Sequence, residues 1–185
     1  WRGYDINAGY SARDYGFRIA KGGWITTQDA DDACLLNRIE TQMHFAQKYN
    51  ATMVTIQWIM RKDEYHGKTF DVAQLVHDRG EESLIVRPDE ITRLAEHARG
   101  PLMRFRLHRF VPFSIKWFPY TRKLFYRSLE SYPGADNSML FRREVLEVAR
   151  FRPRNERVWG IPSGRGTGRD FAFQVAFAFK NSYSL

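Results

Sequence analysis

The sequence predicts an α/β fold built on a mainly parallel sheet, and three observations carry that prediction. Helix-like and strand-like segments alternate through the first sixty residues. The stretch 52–60, Thr-Met-Val-Thr-Ile-Gln-Trp-Ile-Met, is apolar and β-branched enough for a largely buried strand. Between the two strand-like stretches lies a carboxylate cluster at a strand's carboxyl end, where open α/β sheets bind their ligands.

In chain order, Ser11 is placed to cap a helix over 12–20, which Gly22 and Gly23 terminate. Trp24, Ile25, Thr26 and Thr27 then read as a strand that runs into Asp29-Ala30-Asp31-Asp32. Leu35, Leu36, Ile39, Met43 and Ala46 repeat at helical spacing up to Tyr49, and the buried strand 52–60 follows. Further on, 83–86 reads as a short strand, and Pro88-Asp89-Glu90 opens a helix that ends at Gly100-Pro101. Pro112 and Pro119 deny the next segment a single helix and leave short strands or amphipathic turns. A strand at 138–141, a helix over about 143–150, a loop bearing Pro153 and Pro162, and an apolar helix from Asp170 complete the pattern.

Composition narrows the class. The 185 residues are 43% hydrophobic and 15% aromatic, ample for a packed core, which excludes disorder as the main state. No apolar run reaches the ~18 residues of a membrane span. The first thirty residues carry charges rather than a secretion signal's apolar stretch. The single cysteine, Cys34, forms no internal disulfide, and the five histidines include no pair at helical metal-ligand spacing. A reducing cytoplasmic setting and no structural zinc are expected.

The formal net charge of +8 is unevenly distributed. Residues 1–98 hold 12 Lys and Arg against 15 Asp and Glu, residues 99–127 hold 8 against none, and residues 128–185 hold 9 against 6. The 99–127 segment interleaves its basic residues with Phe105, Phe110, Phe113, Trp117, Phe118, Tyr120, Phe125 and Tyr126. Basic plus aromatic points to a polyanion or an anionic membrane surface. The alternative is a segment whose aromatics form core and whose arginines are solvated.

Asp29, Asp31 and Asp32 crowd three carboxylates into four positions, which repel one another unless a counterion is present. Oxygen ligands without histidine or thiolate support suit Mg2+ or Mn2+, ions held by one or two carboxylates together with substrate phosphates. The competing reading is that the acids serve only to start the following helix.

The surroundings of the cluster sharpen this. Asn7-Ala8-Gly9, Ser11-Ala12-Arg13-Asp14-Tyr15-Gly16, Ala20-Lys21-Gly22, Asp29-Ala30-Asp31-Asp32 and Arg38-Ile39-Glu40-Thr41-Gln42 occur in order within about 36 residues. This succession resembles the family 2 inverting glycosyltransferases of the GT-A fold, with Asp14 where the family usually carries Asn. The resemblance implies a metal-dependent transferase that moves a sugar from a nucleotide-sugar donor, most simply a UDP-sugar, to a glycan or lipid-linked acceptor in cell-surface polysaccharide synthesis. It assigns Asp31, with Asp29, to the metal, and Arg13, Asp29, Ala30 and Asp32 to the donor. For Arg13 the alternative is a structural ion pair with the acidic strand end.

Inverting transfer needs a general base for the acceptor hydroxyl. The family places it as the Asp of a Glu-Asp pair opening a helix, which here matches Asp170, with Arg169 in place of the Glu. An ordinary N-cap is the alternative for Asp170. Ser163-Gly164-Arg165-Gly166-Thr167-Gly168 follows no predicted strand and lacks the P-loop lysine, so it reads as a lid whose Arg165 or Arg169 neutralises pyrophosphate. The turn 132–137 and the strand ending Phe141-Arg142-Arg143 resemble the family's acceptor side. Asp136 is the acceptor candidate there, with a turn-forming Asp as the alternative, and Trp159 and Tyr132 are candidates for stacking on a sugar.

The resemblance divides the chain into a donor half, 1–98, and an acceptor half, 99–185. A complete family domain starts with strands that this sequence does not match, so the first strands, about 60 to 80 residues in a domain of ordinary size, are expected to be missing and the stretch alone inactive. The absence of Gln-x-x-Arg-Trp argues against a processive polymerase. A rival of another class is a non-catalytic basic module gripping nucleic acid or another polyanion. No nucleic acid is expected, because alternating Phe and Arg across two prolines matches no such motif. A peripheral site on the cytoplasmic face of a membrane is compatible with the transferase.

Overall fold

A computed structural model describes residues 9–29, 32–57, 67–69, 71–128, 132–134, 137–159 and 166–185. Helix α1 spans Tyr10–Ile19 and strand β1 Trp24–Thr26. Tyr10 and Phe17, two turns apart, bury one face of α1. The residue ahead of α1 is Gly9, at φ +83°, and no side chain caps the helix, so Ser11 lies inside the first turn and not at the cap. Helix α2 is Arg38–Lys48 and β2 is Met53–Thr55. The spacing of leucines placed α2 earlier and turned it differently. Leu36 is exposed and Ile39 half-exposed, while Arg38, Gln42, Phe45 and Ala46 face inward. Hydrogen bonds to strand ends outweigh aliphatic periodicity on this helix.

Helix α3, Val72–Arg79, has a side-chain cap, Asp71 accepting from the Gln74 backbone N–H at 2.9 Å. A 3₁₀ turn at Glu81–Ser83 runs into the stretch 83–86, which the sequence predicts as a strand. Only Val86 pairs with the sheet, through backbone bonds of 2.8 and 3.2 Å with Ser184. Helix α4, Pro88–Ala98, starts on its proline and buries Ile91, Ala95 and Ala98, a spacing of one helical face. Residues 101–125 then form 3₁₀ turns at Pro101–Arg104 and Arg106–Phe110 and the short helices α5, Phe113–Trp117, and α6, Arg122–Phe125. Turns win over strands here because the prolines remove backbone donors.

Strand β3 is Leu140–Arg142, followed by a 3₁₀ turn at Arg143–Glu147 where a longer helix was expected. Helix α7 is Gly166–Phe179 and β4 is Ser182–Ser184. Because α7 begins at Gly166, Asp170 sits in its second turn and not at its cap, and Gly166, Thr167 and Gly168 belong to the helix rather than to a lid. The lid residues Ser163 to Arg165 lie outside the described residues.

The sheet order is β1-β3-β2-β4. Strands β2 and β4 are parallel, with Val54 opposite Tyr183, and β3 runs antiparallel to both β1 and β2. Three strands therefore share one direction, as helix-strand alternation predicts, and β3 is inserted against them. The insertion follows from the path of the chain: it reaches β3 from the carboxyl edge, where Asn137 is already bonded to the end of β1. The main core gathers the inner faces of α1, α4 and α7 with Met53, Met139 and Phe141. A smaller cluster of Ala46, Ala51, Val54 and Leu140 lies beneath α2. Strands from before and after residue 98 thus share one sheet.

Candidate active site

The carboxyl edge of the sheet is assembled by β1 and the residues that lead into β3. Thr26 Oγ1 donates to the Met139 carbonyl at 2.8 Å, and Thr27 Oγ1 to the Asn137 carbonyl at 3.1 Å. Arg38, buried at the start of α2, donates to the Thr27 carbonyl at 3.0 Å and to Thr26 Oγ1 at 3.3 Å. One turn on, the buried Gln42 donates through Nε2 to the carbonyls of Val54, at 2.9 Å, and Ser138, at 2.6 Å. Ser138 Oγ donates to the Ile56 carbonyl at 2.9 Å. The ends of β1 and β2 and the start of β3 are thereby tied to one helix.

Upon this frame stand the predicted acids. Arg13, reaching from α1, forms an ion pair with Asp29 and lies over the Tyr10 ring at 4.9 Å. The Asp32 backbone N–H donates to the Asp29 carbonyl at 3.2 Å, and Gln28 Nε2 donates to the Asp32 carbonyl at 2.7 Å. Asp32 also accepts from Asn137 Nδ2. Arg13, Asp29 and Asp32 are therefore brought to one edge. Ala30, Asp31 and Asp136 lie outside the described residues.

Among the described residues, no group of three or more His, Cys, Asp or Glu is gathered for a metal ion. The chemistry of the donors nonetheless fits a hard cation. Asp29 and Asp32 are carboxylates that bracket a third in sequence, and the partly exposed Asp29 already has a cation as partner. Arg13 supplies part of the countercharge, so the ion pair weighed for it in the sequence is present.

Asp170 occupies a second location. Its Oδ1 accepts from the backbone N–H groups of Val158, at 2.9 Å, and Trp159, at 3.0 Å. Its Oδ2 accepts from Arg152 Nε and Gln174 Nε2, each at 2.9 Å. The side chain is fully buried, which raises its proton affinity above the usual carboxylate range, while Arg152 and the two backbone donors act in the opposite direction. Trp159 is buried in the core. Its ring packs against Phe173 and Phe177 and its Nε1 donates to the Ala95 carbonyl at 2.7 Å, contacts that account for its burial. Tyr132, also buried, packs on Phe173.

A run of aromatic contacts lies between the two locations. Tyr10, beneath Arg13, touches Phe151 at 5.0 Å between ring centroids, and Phe151 touches Phe171, the neighbour of Asp170, at 4.8 Å. Arg38 and Gln42 had no assigned role in the sequence. Their polar i, i+4 spacing on an otherwise amphipathic helix was the available signal.

The site is thus an α/β sheet with acids and an arginine at its carboxyl edge and an antiparallel strand inserted beside them. Residues 7–150, well over half of the chain, match the family described as glycosyl transferase family 2, and the chain belongs to that family. Membership makes it a glycosyltransferase, acting on a nucleotide-sugar donor and an acceptor. The match includes the whole acidic edge and ends before α7. No curated protein and no solved structure matches the chain.

Proposed function

We propose that the protein transfers a sugar with inversion from a UDP-sugar to a glycan or lipid-linked acceptor, at the cytoplasmic side of cell-surface polysaccharide synthesis. The observation that supports this most is the position of Asp29 and Asp32 at the carboxyl edge of the sheet, inside the residues that match the family. Asp29 and Asp31 would hold Mn2+ or Mg2+, which when bound offsets the charge of the departing diphosphate. Arg13 orients Asp29, and Asn137 fixes Asp32 beside the donor sugar. Asp136, next to Asn137 in sequence, contacts the acceptor.

Asp170 serves as the base. Its Oδ1 is anchored by two backbone donors, whereas Oδ2, among the described residues, is held by the side chains of Arg152 and Gln174. Oδ2 exchanges one of these donors for the acceptor hydroxyl and takes its proton as the oxygen bonds to the anomeric carbon. The bond to the nucleoside diphosphate breaks on the opposite face. Burial, by raising the proton affinity of the carboxyl, suits this step.

The four satisfied hydrogen bonds of Asp170 also favour a second reading, in which it braces residues 157–159 against α7 without touching the acceptor. Asp170→Asn and Gln174→Ala separate the two. A base loses turnover in the Asn variant far beyond the change in thermal stability, and the Ala variant, which frees Oδ2, retains turnover. A brace loses stability in both, with activity falling only in proportion.

A further inference from the structure

The segment 99–127 leaves and rejoins the fold at a single neck. Gly100 donates its backbone N–H to the Phe125 carbonyl at 2.8 Å, and Arg127 donates to the Ala98 carbonyl at 3.0 Å. Met103, Lys116, Phe125 and Tyr126 are buried and fasten this lobe to the core. The other side of it is unusual. From 104 to 110 the sequence reads Arg-Phe-Arg-Leu-His-Arg-Phe, and every residue but His108 is exposed. Phe105 is 62%, Leu107 72% and Phe110 76% exposed. Among the described residues, Arg104, Arg106 and Arg109 make no ion pair, and the lobe itself contains no carboxylate.

The strip is held from beneath. His108 packs beside Lys116 with 3.4 Å between Nδ1 and Nζ, Lys116 donates to the Asn155 carbonyl, and Asn155 Nδ2 donates to the Arg109 carbonyl at 3.2 Å. Its backbone is thus fixed while arginines and large apolar side chains project outward. Phe118 and Tyr120, ring against ring at 5.5 Å, add a second exposed pair. Apolar surface on this scale marks a contact site, and its interleaving with uncompensated cations selects a partner that is apolar behind an anionic face.

We propose that this lobe docks on a bilayer surface containing anionic phospholipid. The arginines meet headgroup phosphates while Phe105, Leu107 and Phe110 enter the boundary with the acyl chains. Leucine offers no ring for a base to stack on, which favours a bilayer over a single-stranded nucleic acid. The inference goes beyond the transferase reading, since binding requires no donor and no turnover.

The test is co-sedimentation of the protein with phosphatidylcholine vesicles, with and without phosphatidylglycerol. Binding is expected only with phosphatidylglycerol and is expected to weaken with salt. Arg104→Glu/Arg106→Glu/Arg109→Glu should weaken it on the order of 100-fold. Phe105→Ser/Phe110→Ser should weaken it at least about tenfold, through lost apolar burial. All five positions are exposed, and a melting transition unchanged from the parent verifies folding. If the glutamate variant fails to fold, the same arginines changed to Gln provide the comparison. Equal binding to both vesicle types, parental binding by both variants, or displacement from vesicles by a short RNA at equal charge concentration would each overturn the proposal.

Discussion

The backbone N–H of Gly100 meets the carbonyl of Phe125 at 2.8 Å, and this bond closes the neck of the lobe that carries the chain's positive excess. The approach is close enough to exclude any side chain. A Cβ on Gly100 would stand 2.5 Å from both the Leu124 carbonyl oxygen and the Phe125 carbonyl carbon, backbone atoms that cannot rotate away. Gly100→Ala is therefore expected to cost about 1–3 kcal/mol, measured by urea denaturation. A loss below about 0.5 kcal/mol, within the usual range of surface substitutions, would show that the neck yields without penalty.

Arg13 and Asp29 act as one unit if the carboxyl edge binds the donor. Both side chains are about a quarter exposed, so their pair contributes little to folding, within about 1 kcal/mol. Arg13→Ala and Asp29→Asn should each lower kcat/KM at least about tenfold, and the double variant should lose little more than either single one. Losses that simply multiply would mean the two residues contribute separately.

Gln42 is completely buried and serves two carbonyls, Val54 on β2 and Ser138 ahead of β3. Gln42→Leu preserves the volume but leaves both acceptors without this donor, at a cost of roughly 1–3 kcal/mol. Gln42→Glu should be worse at pH 7, since a carboxylate would face two carbonyl oxygens. Thermal melts of the two variants decide the order, and a Glu variant as stable as the parent would contradict this account of the edge.

Lys116 and His108 make the lobe's attachment sensitive to pH. Burial lowers the Lys116 pKa to about 8, and burial together with the nearby Lys116, Arg152 and Arg109 charges lowers that of His108 to about 4. In each case the unfolded chain binds the proton more tightly, so stability rises with pH between the folded and the ordinary pKa. That gives one rise between about pH 4 and 6.5 and another between about pH 8 and 10.5. Lys116→Met should abolish the upper rise and be at least as stable as the parent at pH 7, as replacement of a buried charge by an apolar side chain often is. Urea midpoints measured across the alkaline range provide the check, and an unchanged alkaline slope in Lys116→Met would assign the rise to another group.

Local signals served the fold well where backbone chemistry was decisive. Pro88 and the acids after it located α4, and the apolar, β-branched run 52–60 located an interior strand, of which Met53–Thr55 pairs in the sheet. They served less well where tertiary contacts overrode them. Leu36 and Ile39 suggested one inner face for α2, but Arg38 and Gln42 claim that face because strand-end carbonyls need donors. The direction of β3 was not legible, since nothing local records that the chain returns to the sheet from its carboxyl edge. At the site, motif order singled out Arg13, Asp29 and Asp32, which lie together at one edge of the sheet. The burial of Trp159 was not legible, because an aromatic for a core and one for a sugar look alike in sequence.

In the proposed function, the acidic edge and Asp170 together carry sugar transfer from a nucleotide donor. The most direct test is manganese-dependent release of nucleoside diphosphate from a panel of nucleotide sugars in the presence of glycan and lipid-linked acceptors, with Asp31→Ala and Asp170→Asn alongside. Release by the parent from one donor, most simply a UDP-sugar, and a loss of at least about 100-fold in both variants are expected. Release that persists in folded Asp31→Ala and Asp170→Asn proteins would contradict the proposed function, as would a folded parent that leaves every donor intact.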